Sequence, residues 1–98
     1  MADVTIVYWR DIPAQVIVGK GRRGVKKQLS ERFEQAIDRA AMKSGAAETD
    51  DYLAEWRKAP PVPHDGTDAE AAEAVAAQIE AEYDKDRLMA LINNNGHA

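Results

Sequence analysis

The chain has 98 residues, 45% hydrophobic and 31% charged, the composition of one small globular domain with a modest core and no deep walled cleft. Having no cysteine and only two histidines, His64 and His97, it excludes disulfides, thiolate metal sites and cysteine nucleophiles, and leaves little for triad chemistry. Net charge −4 divides unevenly, with nine Lys/Arg against six Asp/Glu in residues 1–49 and four against eleven in residues 50–98, so the halves carry +3 and −7 and bulk nucleic-acid binding is disfavoured.

In chain order, the run from Val4 to Arg10 is β-branched and aromatic and reads as a strand. Asp11 to Ala14, with Pro13, reads as a turn, and Gln15 to Val18 as a second strand. Together residues 3–19 make a β-hairpin with a loop of four or five residues. Alternation puts Val4, Ile6 and Tyr8 on one side and Thr5, Val7 and Trp9 on the other. Both sides are apolar, so each needs cover.

After a glycine-rich break, Val25, Leu29, Phe33, Ala36, Ile37 and Ala40 recur at helical spacing, which predicts a first helix over residues 23–44 stopped by Gly45. Residues 52–58 suggest a third strand, with a two-turn helix as the alternative, and residues 59–66 read as a proline-rich linker. Thr67 and Glu70 form a capping box opening a second helix over residues 67–93. A straight helix of that size spans about 40 Å. It therefore either bends near Asp84-Lys85-Asp86 or overhangs the domain, its last turns offering Leu88, Leu91 and Ile92 to another surface. The expected class is α+β: a β-hairpin or three-stranded antiparallel sheet packed with two helices. No apolar run approaches the ~20 residues of a membrane span, and the N-terminus lacks a signal peptide's layout, so a cytoplasmic location is expected.

The sharpest motif is Gly19-x-Gly21-x-x-Gly24 between a predicted strand and a predicted helix. A hairpin in place of a βαβ unit, a short chain and bulky basic x positions argue against a dinucleotide site. A simpler anion cradle remains open, built from Gly19, Lys20, Gly21, Arg22, Arg23, Gly24, Lys26 and Lys27, against a merely solvated basic loop. Tyr8-Trp9-Arg10 and Tyr52-x-x-x-Trp56-Arg57 combine the residue types favoured at interaction hot spots, or else belong to the core. The carboxylates are spread along helix faces and read as solvated, His64 as a loop residue, and Ser30 and Ser44 as helix-surface residues. No catalytic set, cofactor or metal site is expected.

The string Thr5-Ile6-Val7-Tyr8-Trp9-Arg10-Asp11-Ile12-Pro13-Ala14-Gln15-Val16, continuing through residues 19–42 and the Tyr52–Trp56 segment, resembles the small bacterial virulence factor domain family. The resemblance covers most of residues 3–58. Similar domains end the larger conserved virulence factor C proteins, beside helical repeats and a domain resembling half of an iron–sulfur scaffold. Free-standing members resemble proteins encoded beside folate and corrinoid one-carbon enzymes. The resemblance implies an accessory role there and supplies no catalytic residues. The expected function is thus a non-enzymatic interaction module docking on a larger cytoplasmic protein, possibilities including a one-carbon enzyme or a second copy. The alternative is an anion-, nucleotide- or nucleic-acid-binding module built on residues 19–27.

Overall fold

The computed structural model describes residues 2–19, 24–45 and 49–98. Its first two strands, β1 (Ala2–Trp9) and β2 (Ile12–Val18), are the β-branched runs, paired antiparallel. Their connection is only Arg10-Asp11, tighter than the four or five residues expected, because Ile12 and Pro13 already belong to β2. Arg10 takes a left-handed φ of 54° in this turn. Pro13 has no N–H to give the ladder, and the register shifts where it faces Tyr8.

Residues 25–28 are not the first turn of a helix. They form strand β3 (Val25–Gln28), antiparallel to β2, with Val25 opposite Val18 and Lys27 opposite Val16. The apparent helical spacing of Val25 and Leu29 is a coincidence of two elements, and the free edge of β2 decides the matter. Helix α1 (Glu31–Ser44) follows, with Ser30 as N-cap and Gly45 in the left-handed conformation at its end. Ser30 makes no cap bond within its own helix; its amide and hydroxyl donate to Glu80 at 2.9 and 2.7 Å.

The segment expected as a third strand divides. Its first part is helical, α2 (Thr49–Ala54), and only β4 (Trp56–Lys58) is extended. The proline-rich run holds a further strand, β5 (Val62–His64), so His64 sits in a strand and not a loop. Both short strands lie on the same edge of β1: β4 opposite Val7 to Trp9, β5 opposite Ala2 to Val4. The interruption has a chemical cause. Ala59 still donates to Ile6 at 3.0 Å, but Pro60 and Pro61 have no N–H, so the chain leaves the ladder until Val62. The sheet order is β3-β2-β1, then β4 and β5 end to end along the far edge of β1.

The long helix expected over 67–93 is broken into α3 (Asp68–Glu82) and α4 (Lys85–Asn93). The capping box is present at its start. At the break, Tyr83 leaves helical geometry and Asp84 caps α4 by accepting from the Arg87 amide at 2.8 Å. The break turns α4 onto α1, burying Leu88 and Leu91, so nothing overhangs.

Helix α3 covers the sheet face bearing Val4, Val16 and Val18, all buried. On the opposite face Thr5, Val7 and Ile17 are half-buried, beside the exposed Lys26 and Lys58 that pair with Ile17 and Val7. The hairpin end is closed by aromatics: Trp9 and Tyr52 rings lie 5.9 Å apart, Tyr52 and Trp56 5.8 Å apart. Trp9 is 0% exposed and donates Nε1–H to the Tyr52 carbonyl at 3.0 Å. Gly96 packs against it so closely that a Cβ there would meet the indole at 3.0 Å.

Candidate functional site

The helical layer stops short of the β4–β5 side of the sheet. What remains is a depression in two connected parts. The first is an apolar groove of about 430 Å³ between α3 and the extended 59–64 run, lined by Val4, Ile6, Ala59, Pro60, Val62 and Val75 among others. Val62 is 61% exposed there, which is unusual for so large an apolar side chain in a strand. The second part is a hollow of about 280 Å³ lined by Tyr8, Asp11, Arg57, Tyr83, Arg87 and Leu91, with Ala59 and Ala98. Tyr8 and Ala59 border both.

Each polar side chain of the hollow is held by a different element. Tyr8 and Arg57 are cross-strand neighbours of β1 and β4, so the guanidinium lies 4.6 Å from the Tyr8 ring centre. Tyr83 and Arg87 flank the α3–α4 break, and Arg87 lies 3.9 Å over the Tyr83 ring. Asp11, in the hairpin turn, accepts from Arg57 Nη2 at 3.0 Å and from the Ala98 amide at 2.8 Å. The Ala98 hydrogen bond, helped by Arg57, holds the Asp11 carboxyl below its ordinary value despite partial desolvation. Burial pushes the Tyr8 phenol above its ordinary value, with the neighbouring Tyr83 adding to the effect.

The residues singled out from sequence are scattered. Tyr8 and Arg57 meet in the hollow. Trp9, Leu88 and Leu91 are core residues, Trp9 fully enclosed and Leu91 reaching only the lining of the hollow. Arg10 is spent on the turn, its Nη1 donating to Asn95 at 2.6 Å and its guanidinium stacked 4.9 Å from the Trp9 ring. Tyr52 and Trp56 are half-buried beside a separate, smaller hollow of about 170 Å³, and Ile92 is half-buried between α1 and α4. Val62, Tyr83, Arg87 and Asp11 were missed. Only the four-residue spacing of Tyr83 and Arg87 hinted at a stacked pair, and the proline run masked Val62.

Of the glycine-rich loop, Lys20, Gly21, Arg22 and Arg23 lie outside the described residues. Gly24 leads into strand β3 and not into a helix N-terminus, and successive residues Lys26 and Lys27 point to opposite sheet faces. Lys27 is paired with Glu73 at 2.9 Å. Gly19, at φ 88°, abuts the Asp68 carboxylate, an unfavourable neighbour for an anion. Most carboxylates are exposed, as expected, but Glu80 ties α3 to Ser30 and, at 3.1 Å, to Arg32. Among the described residues no group of three or more His, Asp or Glu is placed to hold a metal ion, and no helix is long and apolar enough to cross a membrane.

The family model described as Virulence factor matches residues 7–92, nearly the whole chain. No curated protein and no solved structure matches it.

Proposed function

The chain belongs to the virulence factor family, and we propose that it is a non-enzymatic docking module that seats an extended, apolar segment of a larger cytoplasmic protein in the groove along β1. One observation carries the reading: an apolar groove of about 430 Å³ left open beside α3, with Val62 exposed in it and a polar hollow at its end. Its floor is a strand and one wall is the extended 59–64 run. That space suits the side chains of a short extended segment, whereas a helix some 10–12 Å across needs a wider trough. Both serines are occupied away from any histidine, Ser30 with Glu80 and Ser44 with the Ala41 carbonyl, which supports a non-catalytic role. Among larger proteins, the family resemblance directs the first search to folate and corrinoid one-carbon enzymes.

The test is site-specific photo-crosslinking in the native host. A benzophenone side chain at position 62 should capture one larger protein, and the same probe at Ala77, on the exposed side of α3, should not. Val62→Asp should abolish co-purification of that protein without lowering thermal stability, since Val62 is already mostly exposed. Retention of the partner by Val62→Asp overturns the reading, as does capture of a second copy of the chain alone.

A further inference from the structure

The chain has six aromatic residues, and four of them lie under one of its own guanidiniums: Trp9 under Arg10, Phe33 under Arg32, Tyr8 under Arg57 and Tyr83 under Arg87, at 3.9–5.1 Å. Among the described residues, Tyr52 and Trp56 are the two left without one. Their rings stand at 81° to each other with centres 5.8 Å apart, and Tyr52 is backed by Trp9. Both line the hollow of about 170 Å³ between α1, α2 and the sheet, together with Gln15, Gln28, Leu29 and Glu34. This hollow shares no lining residue with the docking groove.

The charge lining it is negative. Glu34 is the one charged residue of the lining, and neither it nor Asp38, one turn further along α1, has a partner for its carboxylate among the ion pairs of the described residues. Burial, then Asp38 and Glu34, push the Tyr52 phenol above its ordinary value. Bases on the surrounding elements are engaged elsewhere or stand outside. Arg32 and Arg39 line the hollow between α1 and α4, and Lys43 donates to the Asn93 carbonyl. Lys27 and Arg57 pair with Glu73 and Asp11. Lys26 and Lys58, on this side of the sheet, are two residues from Gln28 and Trp56 and outside the lining. Helix α2 brings no base, only Asp50 and Asp51.

We infer that this corner binds an alkylated ammonium head group, seated against Tyr52 and Trp56 with Glu34 as its counter-charge. Aromatic faces attract cations, and the unpaired acid beside them repels anions. Geometry then chooses among cations. A planar guanidinium covers one ring, as the four arginines do elsewhere in this chain. A rounded methylated head touches two rings set nearly at a right angle together. It also has no N–H donors whose bound water must be replaced, unlike the strongly hydrated ammonium of an unmodified lysine. The hollow is smaller than the ~300 Å³ of a drug-sized pocket, so it takes a head group and leaves the rest of the bearer outside. Small choline-like amines and methylated lysine side chains of proteins both present such a head.

The test titrates the full chain with choline and follows the Trp56 indole N–H and the Glu34 and Tyr52 amides by NMR. The three should shift together and saturate. The uncharged isostere of choline, with a tert-butyl group in place of trimethylammonium, should bind about tenfold more weakly. Methylguanidinium should also bind more weakly than choline. Glu34→Gln should weaken choline about threefold, as for one exposed ion pair, and leave thermal unfolding unchanged because the side chain is exposed. A capped peptide carrying trimethyl-lysine separates the two sources: tighter binding than choline makes the bearer a protein, weaker binding a free amine, and both uphold the site. Equal binding of the uncharged isostere, methylguanidinium as tight as choline, no saturable shift at Trp56, or indifference to Glu34→Gln each overturns it. None of these outcomes bears on the crosslink at position 62, since the two surfaces share no residue.

Discussion

Asp11 illustrates how one turn residue gathers distant parts of the chain. Its side chain holds Arg57 of β4 and the Ala98 amide, and its own amide donates to the Gly96 carbonyl at 2.9 Å. Arg10 beside it works likewise, meeting Glu55 at 3.3 Å and Asn95. Because the folded-state pKa of Asp11 is depressed, its charge stabilises the fold fully above the unfolded value of 3.8 and loses that effect as pH falls through the lower folded value. Asp11→Asn keeps an acceptor for Ala98 and removes only the charge. The variant should be less stable at pH 7, by under about 1 kcal/mol for so exposed a group, and the difference should close in acid. Urea unfolding at a series of pH values checks this; a gap that persists well below pH 3.8 would show that shape, not charge, is what Asp11 contributes.

At the scale of elements, the division of the second helix governs the rest. Without the break at Tyr83 and Asp84, α4 would continue along α3 and could not bury Leu88 and Leu91 against α1. The break also positions the stacked Tyr83 and Arg87. Asp84 stabilises it locally by capping α4, and its carboxylate lies at the helix N-terminus where negative charge is favoured. Asp84→Ala should cost about 1 kcal/mol in chemical unfolding. It should also move the amide shifts of α4 more than those of α3. A loss of less than a few tenths of a kcal/mol would mean that burial of Leu88 and Leu91 alone places the helix.

For the whole molecule, the uneven charge of the two halves becomes intelligible. The ion pairs of the described residues each join residues 1–49 to residues 50–98: Arg10 with Glu55, Lys27 with Glu73, Arg32 with Glu80, and Asp11 with Arg57. Three of them set a base of the first half against an acid of the second, Asp11–Arg57 running the other way, and part of the charge that suggested an external anion is used internally. Individually these exposed pairs contribute little. Collectively they attract between the two halves of the chain, so raising sodium chloride from about 0.05 to 0.5 M should lower the melting temperature slightly as screening shortens their range. A rising melting temperature would show that repulsion within the acidic half outweighs attraction between halves.

The local signals that were read correctly depend on neighbours in sequence. The hairpin strands, the glycine stop of α1 and the Thr67–Glu70 capping box follow from β-branching, backbone freedom and side-chain reach over three or four residues. Even some failures were locally decidable: Ser30 followed by Glu31 was a readable helix start that the coincidental spacing of Val25 and Leu29 obscured. Other features were not local at all. Whether Val25 to Gln28 is strand or helix depends on an unpaired edge of β2, and whether Trp9 faces a partner or the core depends on Tyr52 and Gly96 closing over it. The family was legible because one string of residues carries it. The candidate site was not, because Tyr8, Asp11, Arg57, Tyr83 and Arg87 come from separate elements. Sequence determined which segments can pair or coil; only the tertiary structure decided which edges were left to satisfy, since ladder bonds and buried contacts are made between residues that the chain brings together from far apart.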